Sequence, residues 1–95
     1  MTCLPEPAGD KWWVYMVRTV SGKLYTGIST DVERRFQQHL DTSRGLGNKG
    51  AKFFRSDAPA AVVYREAFPD RSSASRREVH IKQLSSRQKR QLTGT

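Results

Sequence analysis

The 95-residue sequence predicts an α+β domain: a small three-stranded antiparallel sheet flanked by helices, in the order β-β-α-β-α-α. Three observations carry that expectation. Two aromatic and β-branched runs, Trp12 to Thr19 and Lys23 to Ile28, stand either side of Ser21-Gly22, a dipeptide suited to a hairpin loop. A capping pattern, Thr30-Asp31-Val32-Glu33, then opens a segment with apolar residues four apart. A third β-type run between Pro59 and Pro69 precedes a Ser- and Arg-rich segment of helical period.

Residues 1–10 contain Pro5, Pro7 and Gly9 and little apolar surface, so a loose tail is expected there, with the folded domain spanning residues 11–92. Trp12 and Trp13 open the first strand on opposite faces, and sheet packing explains both better than base stacking does. The hairpin register decides whether Tyr15 and Tyr25 share a face, because side chains alternate with period 2. A two-residue Ser21-Gly22 loop separates the tyrosines. A three-residue loop, Val20-Ser21-Gly22, pairs Thr19 with Lys23 and brings them together. The second is favoured because only its last residue, Gly22, needs a left-handed backbone. Tyr15 then faces Gly27, which has no side chain to crowd it, and Tyr25 faces Val17.

The first helix is expected to start at Asp31 with Thr30 as its N-cap, and to bury Val32, Phe36 and Leu40. Arg35 and His39 lie on the flank of that stripe, whereas Arg34 points away from it. The long connection from Thr42 to Pro59 holds Gly45, Gly47 and Gly50 beside the cations Arg44, Lys49, Lys52 and Arg55, a composition able to approach phosphate. A solvated loop is the plainer alternative, but Phe53-Phe54 after Lys52 suggests a tethered one. Ala60 to Phe68 forms the third strand, with Tyr64 as a packing residue. The second helix, Ser72 to Leu84 with Asp70 or Ser72 as cap, places Ala74, Ile81 and Leu84 on one stripe. Glu78 falls inside that stripe, and His80 outside it. A carboxylate facing the protein body needs a partner, either a salt bridge to Arg35 or Lys82, or a bound cation. Ser85 to Leu92 is a short basic third helix or a fraying end.

Lys plus Arg outnumber Asp plus Glu by 17 to 9, a net charge of +8 that favours a polyanionic partner. Cys3 is the only cysteine, which excludes an internal disulfide and a cysteine-rich zinc site and suits a cytoplasmic protein. No apolar run approaches the ~20 residues of a membrane span, so a soluble protein with no membrane association is expected. Neither a Ser-His-Asp nor a Cys-His nucleophile set can be assembled, and no glycine-rich phosphate loop links a strand to a helix.

What converges is two phenols, a guanidinium, an imidazole and one carboxylate on a basic scaffold. Val14-Tyr15-Met16, Tyr25-Thr26-Gly27, Arg35, His39 and Glu78 together resemble the GIY-YIG nucleases, over roughly Lys11 to Leu92 and with the greatest likeness to small single-domain members. Gly and Ile of the family's first tripeptide are absent, as is the asparagine that some members place near the C-terminus. The resemblance implies a metal-dependent endonuclease acting on DNA, with branched and single-stranded forms among the expected substrates. It implies that Glu78 holds one Mg²⁺ (or Mn²⁺), a hard ion that needs few protein ligands. Arg35 would stabilise the scissile phosphate, and Tyr15 would act as general base with Tyr25 and His39 orienting water or relaying the proton. Arg34, Lys49, Lys52 and Arg55 would contact the nucleic-acid backbone. A free phenol, with a pKa of about 10, is a poor base at neutral pH, so a nearby cation is expected to lower that of Tyr15. His39 as the base is the alternative. Two other functions compete: a domain of the same fold that binds nucleic acid without cutting it, and a basic adaptor for a protein or ribosomal partner.

Overall fold

The computed structural model describes residues 11–47 and 49–94; the tail expected over residues 1–10 lies outside them. Strands β1 (Trp12–Thr19) and β2 (Leu24–Ser29) form the hairpin, followed by α1 (Val32–Ser43), a 3-10 turn (Lys52–Arg55), β3 (Pro59–Phe68), α2 (Arg71–Lys82) and α3 (Ser86–Thr93). The sheet is antiparallel in the order β2-β1-β3, so the most apolar strand is central. No helix among the described residues is long and apolar enough to cross a membrane.

The hairpin adopts the three-residue loop. Thr19 N–H donates to the Lys23 carbonyl at 2.8 Å, Gly22 sits at φ 95°, and Tyr15 pairs with Gly27 while Val17 pairs with Tyr25. Asp57 ties the tip to the later loop by accepting from the Ser21 hydroxyl at 2.6 Å.

Alternation along β1 splits the core in two. Val14 and Met16 pack with Ala74 and Ile81 of α2, with Trp12, Tyr64, Phe68 and Leu92 of α3 around them. Tyr15 and Val17 pack on the other face with Val32 of α1 and Phe54 of the 3-10 turn, bordered by Trp13, Tyr25 and Phe36. The tryptophans therefore pack on opposite faces, as expected; Arg71 also lies over the Trp12 ring at 5.7 Å. The connection between α1 and β3 is tethered by Phe54, which is fully buried.

Three helical details differ from the sequence reading. The N-cap of α1 is Asp31 rather than Thr30: the Asp31 carboxylate accepts from Arg34 N–H at 3.1 Å, and Ser29 Oγ accepts from Asp31 N–H. The buried stripe of α1 is Val32, His39 and Thr42, with Phe36 and Leu40 only half-buried, so the helix is rolled to drive His39 into the core. Helix α2 starts at Arg71, capped by Asp70 accepting from Ser73 N–H at 2.8 Å, and ends at Lys82. The C-terminal segment is a formed helix, closed by a reciprocal capping box between Ser85 and Gln88.

Candidate active site

The hairpin register puts Tyr15 and Tyr25 on the α1 side of the sheet, with ring centroids 6.4 Å apart. The roll of α1 brings His39 between them: its ring lies 6.1 Å from Tyr15 and 5.3 Å from Tyr25, edge-on to the latter. His39 is 0% and Tyr15 1% exposed, and Tyr15 Oη is 2.8 Å from His39 Nε2. Gly27 makes this fit possible. A Cβ there would stand 2.8 Å from Tyr15 Oη and 3.0 Å from Cζ, distances that real Cβ atoms do not tolerate against a buried ring.

The loop after α1 fixes the proton on His39. Ala51 N–H, which can only donate, points at His39 Nδ1 at 3.2 Å, so Nδ1 carries the lone pair. Burial and the neighbouring Arg35 charge hold the His39 pKa down to about 4, so the ring is neutral and its proton is on Nε2. Nε2–H then donates to Tyr15 Oη, leaving the tyrosine's own O–H free to point elsewhere. The loop is held close by Gly50, whose N–H donates to Thr42 Oγ1 at 2.9 Å; a Cβ on Gly50 would fall 2.6 Å from the Gln38 carbonyl oxygen.

Arg35 sits at the mouth of this cluster. Its Nη1 donates to Gln38 Oε1 at 2.9 Å and to the Lys49 carbonyl at 2.6 Å, which steadies the guanidinium. With Nη1 committed to Gln38 and Lys49, Arg35 also interacts with the Tyr15 oxygen, and the remainder of its fork is available to an oxyanion. Arg35 favours the Tyr15 phenolate, yet the Tyr15 pKa rises above the ordinary 10. Burial is the largest cause, with Tyr25 and Glu78 adding to it and Arg35 only partly offsetting them. The expected lowering by a cation is therefore overturned for the protein's own residues.

Glu78 reaches this region from α2 on the other side of the sheet, close enough for its charge to disfavour the Tyr15 phenolate. Its side chain is 20% exposed and its Oε2 pairs with Lys82 Nζ at 3.2 Å, the salt bridge weighed from sequence. No group of three or more His, Cys, Asp or Glu able to hold a metal occurs among the described residues. A lone half-buried carboxylate with one oxygen unengaged suits a hard, water-rich ion such as Mg²⁺, and not a Zn²⁺ ion that needs a closed N/S set.

The sequence model of the GIY-YIG catalytic domain matches residues 11–91. The chain belongs to the GIY-YIG family. UPF0213 protein DP2720 of Desulfotalea psychrophila is 46% identical over 94 residues, covering 97% of this chain and 81% of that protein. UPF0213 protein YhbQ of Escherichia coli K12 is 47% identical over 81 residues, covering 85% and 75%. The solution NMR structure of UPF0213 protein BH0048 from Bacillus halodurans superimposes with a TM-score of 0.53 at 39% identity, covering 88% of this chain and 83% of that one. That of protein EF2693 from E. faecalis gives 0.58 at 26% identity, covering 90% and 85%.

The GIY-YIG assignment makes sense of the departures in the first tripeptide. Val14 and Met16 flank Tyr15 but point to the opposite core, where both are fully buried, so those positions are governed by packing against α2. Tyr15, Tyr25, His39 and Arg35 form one cluster in this GIY-YIG chain, with Glu78 in electrostatic range. Arg34 is exposed on α1, and Lys49, Lys52 and Arg55 are exposed on the loop around buried Phe54, at the rim next to Tyr25. Sequence reasoning missed the two backbone groups that complete the cluster, the Ala51 N–H and the Lys49 carbonyl; the glycines of that loop were the available signal.

Proposed function

We propose that this chain is a metal-dependent endonuclease that hydrolyses DNA phosphodiester bonds, with Tyr15 as general base, Arg35 as phosphate stabiliser and Glu78 as the ligand of one Mg²⁺ or Mn²⁺ ion. The observation that carries the reading is the Tyr15 Oη to His39 Nε2 hydrogen bond, with the imidazole proton directed to the phenol by Ala51. In that arrangement His39 is a donor to the tyrosine oxygen and has no free lone pair for water, which favours Tyr15 over His39 as the base. Tyr15 acts as its phenolate, formed when its O–H proton leaves to solvent; Nε2–H stabilises that phenolate, which then accepts the proton of the attacking water, and Tyr25 borders the pocket. The remainder of the Arg35 fork meets the charge that grows on the phosphate oxygens. A divalent ion held by Glu78 would polarise the phosphate and cancel the carboxylate charge that now opposes the phenolate. Arg34, Lys49, Lys52 and Arg55 would follow the backbone without reading bases. A cytoplasmic location is part of this reading, supported by the single cysteine and basic composition.

The raised Tyr15 pKa favours a second reading, a module that binds nucleic acid and does not cut it, since a neutral phenol is an inert base. A cleavage assay across branched, flapped, single-stranded and duplex DNA separates the two. The nuclease nicks with Mg²⁺ or Mn²⁺ and loses that activity in Glu78→Ala and Arg35→Ala while DNA binding persists. Nicking unchanged in both variants would refute it, and salt-sensitive binding with no nicking in any substrate would establish the second.

A further inference from the structure

A second basic hollow lies at the open edge of the sheet, away from Tyr15. It measures about 340 Å³ and lies between the hairpin tip, the 3-10 turn and α3, with Lys23, Leu24, Phe53, Ser86, Lys89 and Arg90 around it. That size is at the lower end of small-ligand sites, roughly 300–1,000 Å³, and admits a nucleotide unit. Three cations from elements distant in the chain surround one depression, and none of them takes part in a salt bridge among the described residues. Asp57, which feels the charge of Lys23, is itself engaged by the Ser21 hydroxyl. Gathering like charges without partners is unfavourable until an anion arrives.

Phe53 joins this hollow to the Tyr15 cluster. It is 38% exposed, forms part of the hollow's wall, and stands 5.5 Å from the Tyr25 ring on its other side. Such a half-exposed ring between two cationic sites is placed to meet a base of a strand passing from one to the other.

We infer that Lys23, Lys89 and Arg90 form a second phosphate subsite, which holds the sugar-phosphate backbone of the same nucleic-acid strand whose scissile phosphate lies at Arg35, with Phe53 against the nucleotide between. The inference rests on the nuclease reading only for the direction of the strand; binding at the hollow is measurable without cleavage. The subsite gives this domain a second grip on the strand, and it acts on the backbone rather than on sequence.

The test is fluorescence anisotropy of the full chain with a fluorescein-labelled single-stranded oligonucleotide in EDTA, so that no cutting occurs. The Lys23→Ala/Lys89→Ala/Arg90→Ala variant is compared with Lys11→Ala/Arg18→Ala/Arg76→Ala, which removes the same charge from exposed positions outside the hollow. The subsite variant raises Kd about tenfold or more at low salt and flattens the salt dependence by a slope of about 2, since each single-strand phosphate contact contributes about 0.7. The control variant shifts Kd less than threefold. Equal losses in the two variants would overturn the subsite. Should the subsite variant fail to fold, titration of the wild-type protein with inorganic phosphate decides by NMR. Amide shifts at Lys23, Ser86, Lys89 and Arg90 support the subsite, and shifts confined to the Arg35 and His39 region refute it. Absence of cleavage under Mg²⁺ leaves these outcomes intact and bears only on the nuclease reading.

Discussion

Acidification should destabilise the protein through His39 before it titrates the structural carboxylates. His39 is fully buried, stays neutral near pH 7 with its one proton on Nε2, and has its pKa held from the ordinary 6.5 down to about 4. Between those values the unfolded chain binds a proton that the native protein does not, so stability rises with pH and falls as pH drops through the window. At about 1.36 kcal/mol per pH unit the loss is at most ~3–4 kcal/mol, a large part of the ~5–15 kcal/mol typical of small domains. Urea unfolding at stepped pH from 7 to 4.5 measures it in the wild type, in His39→Gln and in His80→Gln, whose side chain is exposed. Losses from Glu33, Asp57 and Asp70, whose pKa values are lowered by Arg65, Ser21 and Ser73 respectively, set in as pH falls below their ordinary values of 4.5, 3.8 and 3.8 and are common to all three proteins. The wild type and His80→Gln should share the steep decline, and His39→Gln should flatten it. The same slope in all three would refute the buried neutral imidazole and, with it, the proton assignment at Tyr15.

Other substitutions probe the supports of the cluster. Gly27→Ala drives a methyl into the Tyr15 ring and should cost about 1–3 kcal/mol, or about 4–8 °C in Tm for each kcal/mol, by thermal unfolding; an unchanged Tm would contradict the tight fit. Phe54→Ala removes the ring that seats the loop on His39, 4.4 Å away, and should cost about 3–5 kcal/mol in chemical denaturation, with a loss below 1 kcal/mol counting against that anchor. Lys82→Ala frees Glu78 from its i,i+4 partner, so the Mg²⁺ concentration for half-maximal cleavage should fall while stability changes by less than about 0.5 kcal/mol. A higher Mg²⁺ requirement would show that Glu78 needs Lys82. Arg65→Ala breaks an exposed bridge to Glu33 and should change stability by less than about 1 kcal/mol; a larger loss in the same denaturation assay would show a structural role.

The sheet was legible because its decisive features are local. Gly22 alone could supply the left-handed residue of the loop, and that fixed the parity of Tyr15 and Tyr25 and set Gly27 opposite the phenol. The roll of α1 was hidden because a histidine counts as polar in any pattern of apolar residues. It is buried here only because Tyr15, 24 residues earlier, and Ala51, 12 residues later, satisfy both ring nitrogens. The N-cap moved by one residue for a similarly small cause, the Asp31 carboxylate reaching the Arg34 amide where Thr30 was expected to act. The position of Glu78 on the inner stripe of α2 was readable from its spacing, and so was Lys82 as one of its two possible partners. The direction of the Tyr15 shift was not, because it depends on a balance between burial and Arg35 that no spacing reveals.

The central claim is that the Tyr15 oxygen, poised by His39, accepts the proton of the attacking water. Single-turnover cleavage by Tyr15→Phe measures it, beside DNA affinity and the far-UV spectrum of the same preparation. Removing only the hydroxyl should lower the rate by about 10²–10⁴, the usual contribution of a general base, with affinity and fold retained. Cleavage by Tyr15→Phe at the wild-type rate would contradict it.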